Sequence, residues 1–132
     1  MDLIEFATHF VPFVSPSMER LRKESESTWP FLKWSVQAAA NDSILSFTLC
    51  GFVPESRAEI DELTVSIEMQ TRVNDIEIST DVCVGPRVFW AEEPVFPSSV
   101  EVVKSYATRS LATAASQLPR AIAELVRCQA HP

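Results

Sequence analysis

Glycine, histidine and cysteine are all scarce in this chain of 132 residues. The two glycines, Gly51 and Gly85, are too few and too far apart for a G-x-G-x-x-G fingerprint, a P-loop or the G-x-S-x-G turn of serine hydrolases. The two histidines, His9 and His131, lie at opposite ends and no C-x-x-C pair is present, so spacing assembles no metal site. The sequence therefore predicts a protein that is not an enzyme, with no catalytic residues, no cofactor and no metal.

Long apolar runs and paired cysteines are missing as well. No run approaches the roughly 18 apolar residues of a membrane-spanning helix, and Asp2 and Glu5 come too early for a signal peptide. The odd number of cysteines, at Cys50, Cys83 and Cys128, indicates free thiols in a reducing compartment rather than a disulfide framework. We expect a single cytoplasmic domain over residues 1–132 that does not associate with a membrane.

Acidic residues are concentrated in the middle of the chain. The formal net charge is −7, and the segment from Glu55 to Glu93 holds ten acidic and three basic residues, so the two flanks together are neutral. This segment would repel the phosphates of nucleic acids and of anionic membranes. It would attract a basic protein, although a solvated surface that resists aggregation explains the same acidity.

The N-terminal region has the apolar spacing of a helix. The helix is predicted from Asp2 to about Val14, and Pro12 should kink or end it because proline lacks the amide that a helix interior needs. A turn or a new helix start is expected at residues 15–17. A short charged helix should follow from Met18 to about Ser25.

The longest predicted helix lies at the C-terminal end. Ser98 and Glu101 form a capping box at its start, and an alanine-rich apolar stripe continues in phase as far as Val126. Pro119 interrupts the stripe, which indicates either a kink or a second helix start. Residues 129–132 are expected to fray.

Residues 32–49 alternate apolar and polar side chains with the period of a strand. The turn falls at Asn41 and Asp42, residue types that tolerate positive φ, so this stretch predicts an antiparallel hairpin. Packing in the core and at its edge explains the aromatic cluster at its start better than a binding platform does. That cluster consists of Trp29, Phe31 and Trp34.

Residues 76–90 predict a second hairpin, whose apolar side should include Val88 and Trp90. Glu77 and Asp81 share the opposite, polar side of one strand, about 13 Å apart at the usual strand rise. That separation is too large for a mechanism that uses paired carboxylates. A solvated sheet face accounts for them better.

The segment between the two hairpins fits two structures. Pro54 suits the first turn of a helix, and Glu55 and Glu59 would then lie near the positive end of the helix dipole. Residues 63–69 instead alternate as a strand does, which accounts better for their β-branched side chains. A strand there would leave an eight-residue loop without glycine. We therefore favour a helix from about Glu55 to about Arg72.

Several short motifs resemble the bacterial YbjN family, which is described as sensory-transduction regulators with the fold of type III secretion chaperones. The resemblance covers roughly residues 29–126 and implies a middle helix over Glu55–Arg72. The chain departs from the family in showing two clear opening strands instead of three, and in having Asn74 where a glycine is usual. The motifs are Phe52-Val53-Pro54-Glu55-Ser56-Arg57-Ala58-Glu59-Ile60, Asn74-Asp75-Ile76-Glu77-Ile78, Gly85-Pro86-Arg87-Val88-Phe89-Trp90, Ala112-Thr113-Ala114 and Leu118-Pro119-Arg120-Ala121.

Taken in chain order, these elements predict an α+β fold. We expect α-ββ(β)-α-ββ-α, an antiparallel sheet of four to five strands with N-terminal, middle and C-terminal helices, like that of type III secretion chaperones. The first and last helices should cover one face of the sheet, because each apolar face must be buried against another. The predicted core residues are Trp34, Phe47, Ile78, Trp90, Leu111 and Ile122.

Size, acidity and the resemblance favour a non-enzymatic module that binds a protein partner, either as a chaperone or as a regulator. An immunity-type inhibitor of a basic bacterial toxin fits the acidity equally well, and a small enzyme fits least. A homodimer is compatible with each role. The acidic side chains predicted to meet the partner are Glu55, Glu59, Glu77, Asp81, Glu92 and Glu93.

Overall fold

Two long helices flank a run of five strands. The computed structural model describes residues 3–73 and 75–130, so the expectations for Asp2, Asn74, His131 and Pro132 lie outside the described residues. The elements in chain order are α1 (Leu3–Thr28), β1 (Lys33–Ala40), β2 (Ile44–Phe52), β3 (Glu62–Thr71), β4 (Ile76–Val84), β5 (Arg87–Ala91) and α2 (Val100–Ala130).

The strands form one antiparallel sheet in the order β1-β2-β3-β4-β5. Each strand pairs with its neighbours in the sequence, as the alternating apolar pattern of the two hairpins predicts. Both helices pack on the same face, α1 against β1 and β2 and α2 against β3, β4 and β5. The α+β class and the two terminal helices over one sheet face are therefore confirmed.

The helix predicted over Glu55–Arg72 is wrong, because residues 62–71 form β3, the central strand of the sheet. β3 hydrogen-bonds to β2 on one side and to β4 on the other. A strand between two neighbours satisfies its whole backbone and buries one full row of side chains, which outweighs the local helix signals around Pro54. The buried row is Leu63, Val65, Ile67 and Met69.

The loop before β3 turns without glycine. Glu55 adopts a φ of 57°, a conformation that costs a residue with a side chain roughly 1–2 kcal/mol. The loop is anchored elsewhere, since the Val53 amide donates to the Asp61 carbonyl at 2.8 Å and Gln129 Nε2 donates to the Ile60 carbonyl at 2.8 Å. The middle helix implied by the YbjN resemblance is absent, so the resemblance loses that structural support.

The helix α1 runs as one helix through Pro12 and Pro16, so the predicted end near Val11 is wrong, and so are the turn or new helix start at residues 15–17 and the separate short helix from Met18. Its buried stripe keeps phase across both prolines and packs against the sheet and α2. Burying each large apolar side chain stabilises the fold by about 1.5–3 kcal/mol, whereas a proline inside a helix costs about 3 kcal/mol. The stripe is Phe6, Phe10, Val14 and Met18.

The helix α2 likewise continues through Pro119. It begins at Val100, one residue later than the capping box at Ser98 and Glu101 predicts. Ser99 is the capping residue, not Ser98, because the Ser99 Oγ accepts a hydrogen bond from the Val102 amide at 3.3 Å. The C-terminal end does not fray at Gln129, whose side chain is bonded to Ile60 and to Ser56.

Most of the predicted core residues are buried, namely Trp34, Phe47, Ile78, Leu111 and Ile122. Trp90 is half-buried at the edge of the core. Val88 is 58% exposed, so its predicted position on the apolar side is wrong. The reason is a β-bulge in β5, which shifts the pairing with β4 by one residue. Trp90 therefore pairs with Val82 on the core side, whereas Val88 pairs with Cys83, whose side chain is on the other face.

Candidate functional site

The face of the sheet opposite the helices carries the polar row of each strand. Successive side chains of a strand point to opposite faces, so these residues alternate with the core residues. We call this surface the polar face. Its members on β2, β3 and β4 are Ser46, Thr48, Cys50, Glu62, Thr64, Ser66, Glu68, Gln70, Glu77, Ser79, Asp81 and Cys83.

Three carboxylates lie together on the polar face. Glu68 of β3 pairs with Ser79 of β4, and Ser79 lies between Glu77 and Asp81 along that strand. Glu68 is therefore diagonal to both carboxylates, at the roughly 7–8 Å typical of such cross-strand neighbours. We call Glu68, Glu77 and Asp81 the acidic cluster.

Two members of the acidic cluster are destabilised in their charged form. The pKa of Glu68 is raised by partial burial and, to a smaller extent, by the charges of Asp81 and Glu77. Burial also raises the pKa of Asp81, against a smaller opposite effect of its hydrogen bond with Cys83. Glu77 forms an ion pair with Arg72. Neither Glu68 nor Asp81 has a cationic partner within residues 3–73 and 75–130.

Hydroxyl and thiol groups, together with Glu62 and Gln70, occupy the rest of the polar face. The hydroxyls of Thr48 and Ser66 hydrogen-bond across β2 and β3 at 3.1 Å. The Cys50 thiol donates to Glu62 Oε2 at 3.4 Å. Burial, followed by this hydrogen bond and the Glu62 charge, raises the pKa of Cys50 to about 11. The thiol is therefore almost wholly protonated at neutral pH, which makes it a poor nucleophile.

The structure separates the other predicted site residues from the acidic cluster. Glu55 and Glu59 are exposed in the loop between β2 and β3. Glu92 follows β5 and turns toward α2, where its Oε1 lies 3.7 Å from Nε of Arg109. Glu93 is exposed in the connector after β5. Of the six predicted residues, Glu77 and Asp81 therefore lie in one cluster.

Sequence reasoning missed Glu68 because it placed this residue on the middle helix. The signal that could have identified it is the alternation of Glu68 with Val65, Ile67 and Met69, which points its side chain away from the core once residues 62–71 are taken as a strand. The same alternation on β4 correctly placed Glu77 and Asp81 on the polar side.

Other chemistry-bearing features are sparse in the part of the chain that the structure describes. Among these residues, no group of three or more His, Cys, Asp or Glu side chains is placed to hold a metal ion. The helices at residues 3–28 and 100–130 are not long and apolar enough to cross a membrane. A groove of about 550 Å³ lies between α1 and α2, and its charged lining residues are Arg20 and Glu24.

Comparison of the chain with known protein families, curated proteins and solved structures gives no significant match. The YbjN resemblance therefore stays a prediction. The function is argued below from the acidic cluster and its surroundings.

Proposed function

We propose that the protein is a non-enzymatic binding module that engages a basic segment of a polypeptide partner through its polar face. The observation that carries this proposal is the state of Glu68 and Asp81. Both carboxylates are half-buried, both have a raised pKa, and neither has a cationic partner among residues 3–73 and 75–130. Such a pair is poorly compensated in the free protein.

A lysine or arginine from a partner would supply the missing counter-charge. Its approach would relieve the repulsion among the three carboxylates and form charge-assisted hydrogen bonds with them. Complementary charge also speeds the encounter of two proteins, more than it deepens their affinity. The surrounding Ser and Thr hydroxyls offer further hydrogen bonds to a polypeptide backbone.

Two biological roles would use this surface in the same way. A chaperone or regulator would hold a basic segment of its client or target, and an immunity-type inhibitor would cover a basic toxin. The acidic cluster supports both roles because it defines the charge of the partner and not its activity. The identity of the partner separates them.

Affinity capture with paired variants tests the proposal. The wild-type chain, the variant Glu68→Lys/Asp81→Lys and the control Glu24→Lys/Glu101→Lys are immobilised, and proteins retained from the native host are quantified by mass spectrometry. Both variants change the net charge equally, but Glu24 and Glu101 are exposed on the helices. Glu68 and Asp81 take part in no ion pair within the described ranges, so their replacement breaks none.

The expected result is a basic protein retained by the wild type and by the control, and lost from the cluster variant. Thermal unfolding of all three proteins checks that the fold is intact. A partner that binds the cluster variant as well as the wild type would contradict the proposal, as would a captured partner whose bound segment carries no basic residues.

A further inference from the structure

The two edges of the sheet are protected to very different degrees. β5 has five residues, contains the β-bulge, and directly follows Pro86. Shortness, bulges and prolines are the features by which proteins keep edge strands from pairing with other chains. β1, at the other edge, has eight residues, no proline, and an uninterrupted register with β2.

The one charged residue of β1 is not placed to prevent another strand from pairing with its edge. Lys33 lies at the first position of the strand, and its Nζ is 5.8 Å from the ring centroid of Phe52, its partner on β2. A lysine that extends beyond the edge is a common obstacle to strand pairing. This lysine instead leans inward over the sheet.

The backbone groups of β1 that point outward can be identified. The Asn41 amide donates to the Ile44 carbonyl at 2.9 Å, so by the alternation of an antiparallel ladder the odd-numbered residues of β1 bond to β2. The even-numbered residues then direct their N–H and C=O groups away from the sheet. Within residues 3–73 and 75–130 these outward groups have no backbone partner. They belong to Trp34, Val36, Ala38 and Ala40.

The side chains of β1 make the strand complementary to itself in the reverse direction. Large residues, Lys33 and Trp34, stand at its start, and three exposed alanines stand at its end. In an antiparallel copy centred on Gln37, Trp34 lies opposite Ala40 and Lys33 lies opposite Asn41. Large side chains therefore lie opposite small ones, and no two like charges lie opposite each other. This register also pairs every outward backbone group of β1 with one from the copy.

We propose that β1 pairs with β1 of a second copy of the chain, antiparallel and centred on Gln37, to form one continuous sheet. The two-fold axis of such a pair is perpendicular to the sheet, so both polar faces lie on the same side. Two acidic clusters would then share one surface. The inference does not depend on the proposed function, because it rests on β1 alone.

Sedimentation velocity, at concentrations from about 5 μM to about 500 μM, tests this inference, because a dimer increases with concentration by mass action. Ala38→Pro removes an outward amide without touching the bonds to β2, a position at which edge strands accept proline. Gln37→Lys places two lysines opposite each other at the two-fold axis and should raise the dimer dissociation constant at least about tenfold. Ser46→Lys, one strand inward on the same face, is the matched control.

We expect a dimer for the wild type and the control, a folded monomer for Ala38→Pro, and a dimer of Gln37→Lys that forms only at concentrations at least about tenfold higher than for the wild type. Hydrogen exchange should show the amides of Val36 and Ala38 protected in the dimer and exposed in the variant Gln37→Lys. A wild type that is monomeric at every concentration overturns the inference. A dissociation constant for Gln37→Lys equal to that of the wild type also overturns it, and this variant decides the matter if Ala38→Pro fails to fold.

Discussion

The ring of Trp34 packs directly on the backbone of Gly51, its partner on the neighbouring strand. A Cβ at Gly51 would lie 2.6 Å from Cζ3 of Trp34, closer than carbon atoms can approach. The indole Nε1 donates to the Trp29 carbonyl at 3.0 Å, which fixes the ring in place. Gly51 is thus required for space, and it allows the edge strand β1 to carry a large buried side chain.

Gly51→Ala should destabilise the protein by about 1–3 kcal/mol, the usual cost of overpacking a tight contact. Chemical denaturation measures this loss. In a Trp34→Phe background the same substitution should cost clearly less, because the smaller ring leaves room for the methyl group. Equal costs in both backgrounds would show that the Trp34 ring is not what excludes a side chain at Gly51.

Phe47→Ala should cost about 3–5 kcal/mol, because it removes a large buried side chain from the centre of the core. Phe47 is 4% exposed and its ring centroid lies 6.2 Å from that of Phe10 on α1. Trp90→Ala should cost less, since Trp90 is half-buried. A loss below about 1 kcal/mol for Phe47→Ala in a denaturant titration would contradict the assignment of the sheet faces.

Neutralising Glu68 and Asp81, the two members of the acidic cluster without a cationic partner among the described residues, should stabilise the free protein at neutral pH. The folded-state pKa values of Glu68 and Asp81 are raised, so their contribution to stability is fully present below the ordinary carboxyl pKa and is lost as pH rises through the folded pKa. The variant Glu68→Gln/Asp81→Asn should therefore have a free energy of unfolding up to about 1 kcal/mol higher than the wild type at pH 7. The gain is modest because solvent still reaches both groups.

The pH dependence supplies the control for that variant. Well below the ordinary carboxyl pKa values of about 4, both carboxyls are protonated in the folded and the unfolded chain and resemble the amides, so the stability difference should vanish there. Unfolding in urea at pH 7 and at about pH 2.5 measures both values. A variant that is less stable than the wild type at pH 7 would mean that the two carboxylates have a compensating partner in the folded chain.

The Cys50 thiol should react slowly with iodoacetamide at neutral pH, with a rate that rises toward its pKa of about 11. Glu62→Gln removes the neighbouring charge and should shift the midpoint of the rate profile to lower pH. Partial burial is the first cause of the raised pKa and remains in the variant, so the midpoint should stay above that of a free cysteine. An unchanged midpoint would show that Glu62 does not affect the thiol.

The sheet faces could be predicted wherever alternation and turn residues agree. On β4 the alternation from Ile76 to Val84 determines both the buried row and the polar row, and Gly85 marks the turn that follows. The two terminal helices could be predicted in the same way from their apolar stripes. These patterns are local in sequence, and each reports which side of one element faces the core.

The middle of the chain could not be predicted because its structure depends on distant partners. β3 has the alternation of a strand, yet Pro54 and the acidic residues after it are equally good signals for a helix start. Pairing with β2 and β4, together with the contact from Gln129 of α2, decides between the two. The acidic cluster was incomplete in the sequence for the same reason, since Glu68 joins Glu77 and Asp81 through the pairing of β3 with β4.

The central claim is that the acidic cluster binds a basic partner, and association kinetics test it most directly. The association rate of the captured partner is measured for the wild type, for Glu68→Lys/Asp81→Lys and for Glu24→Lys/Glu101→Lys, at about 50 mM and about 300 mM salt. We predict that the association rate of the wild type falls as the salt concentration rises. At low salt the cluster variant should associate at least about tenfold more slowly than the wild type, and the control should associate at nearly the wild-type rate. An association rate that changes with neither salt nor the cluster substitutions would contradict the claim.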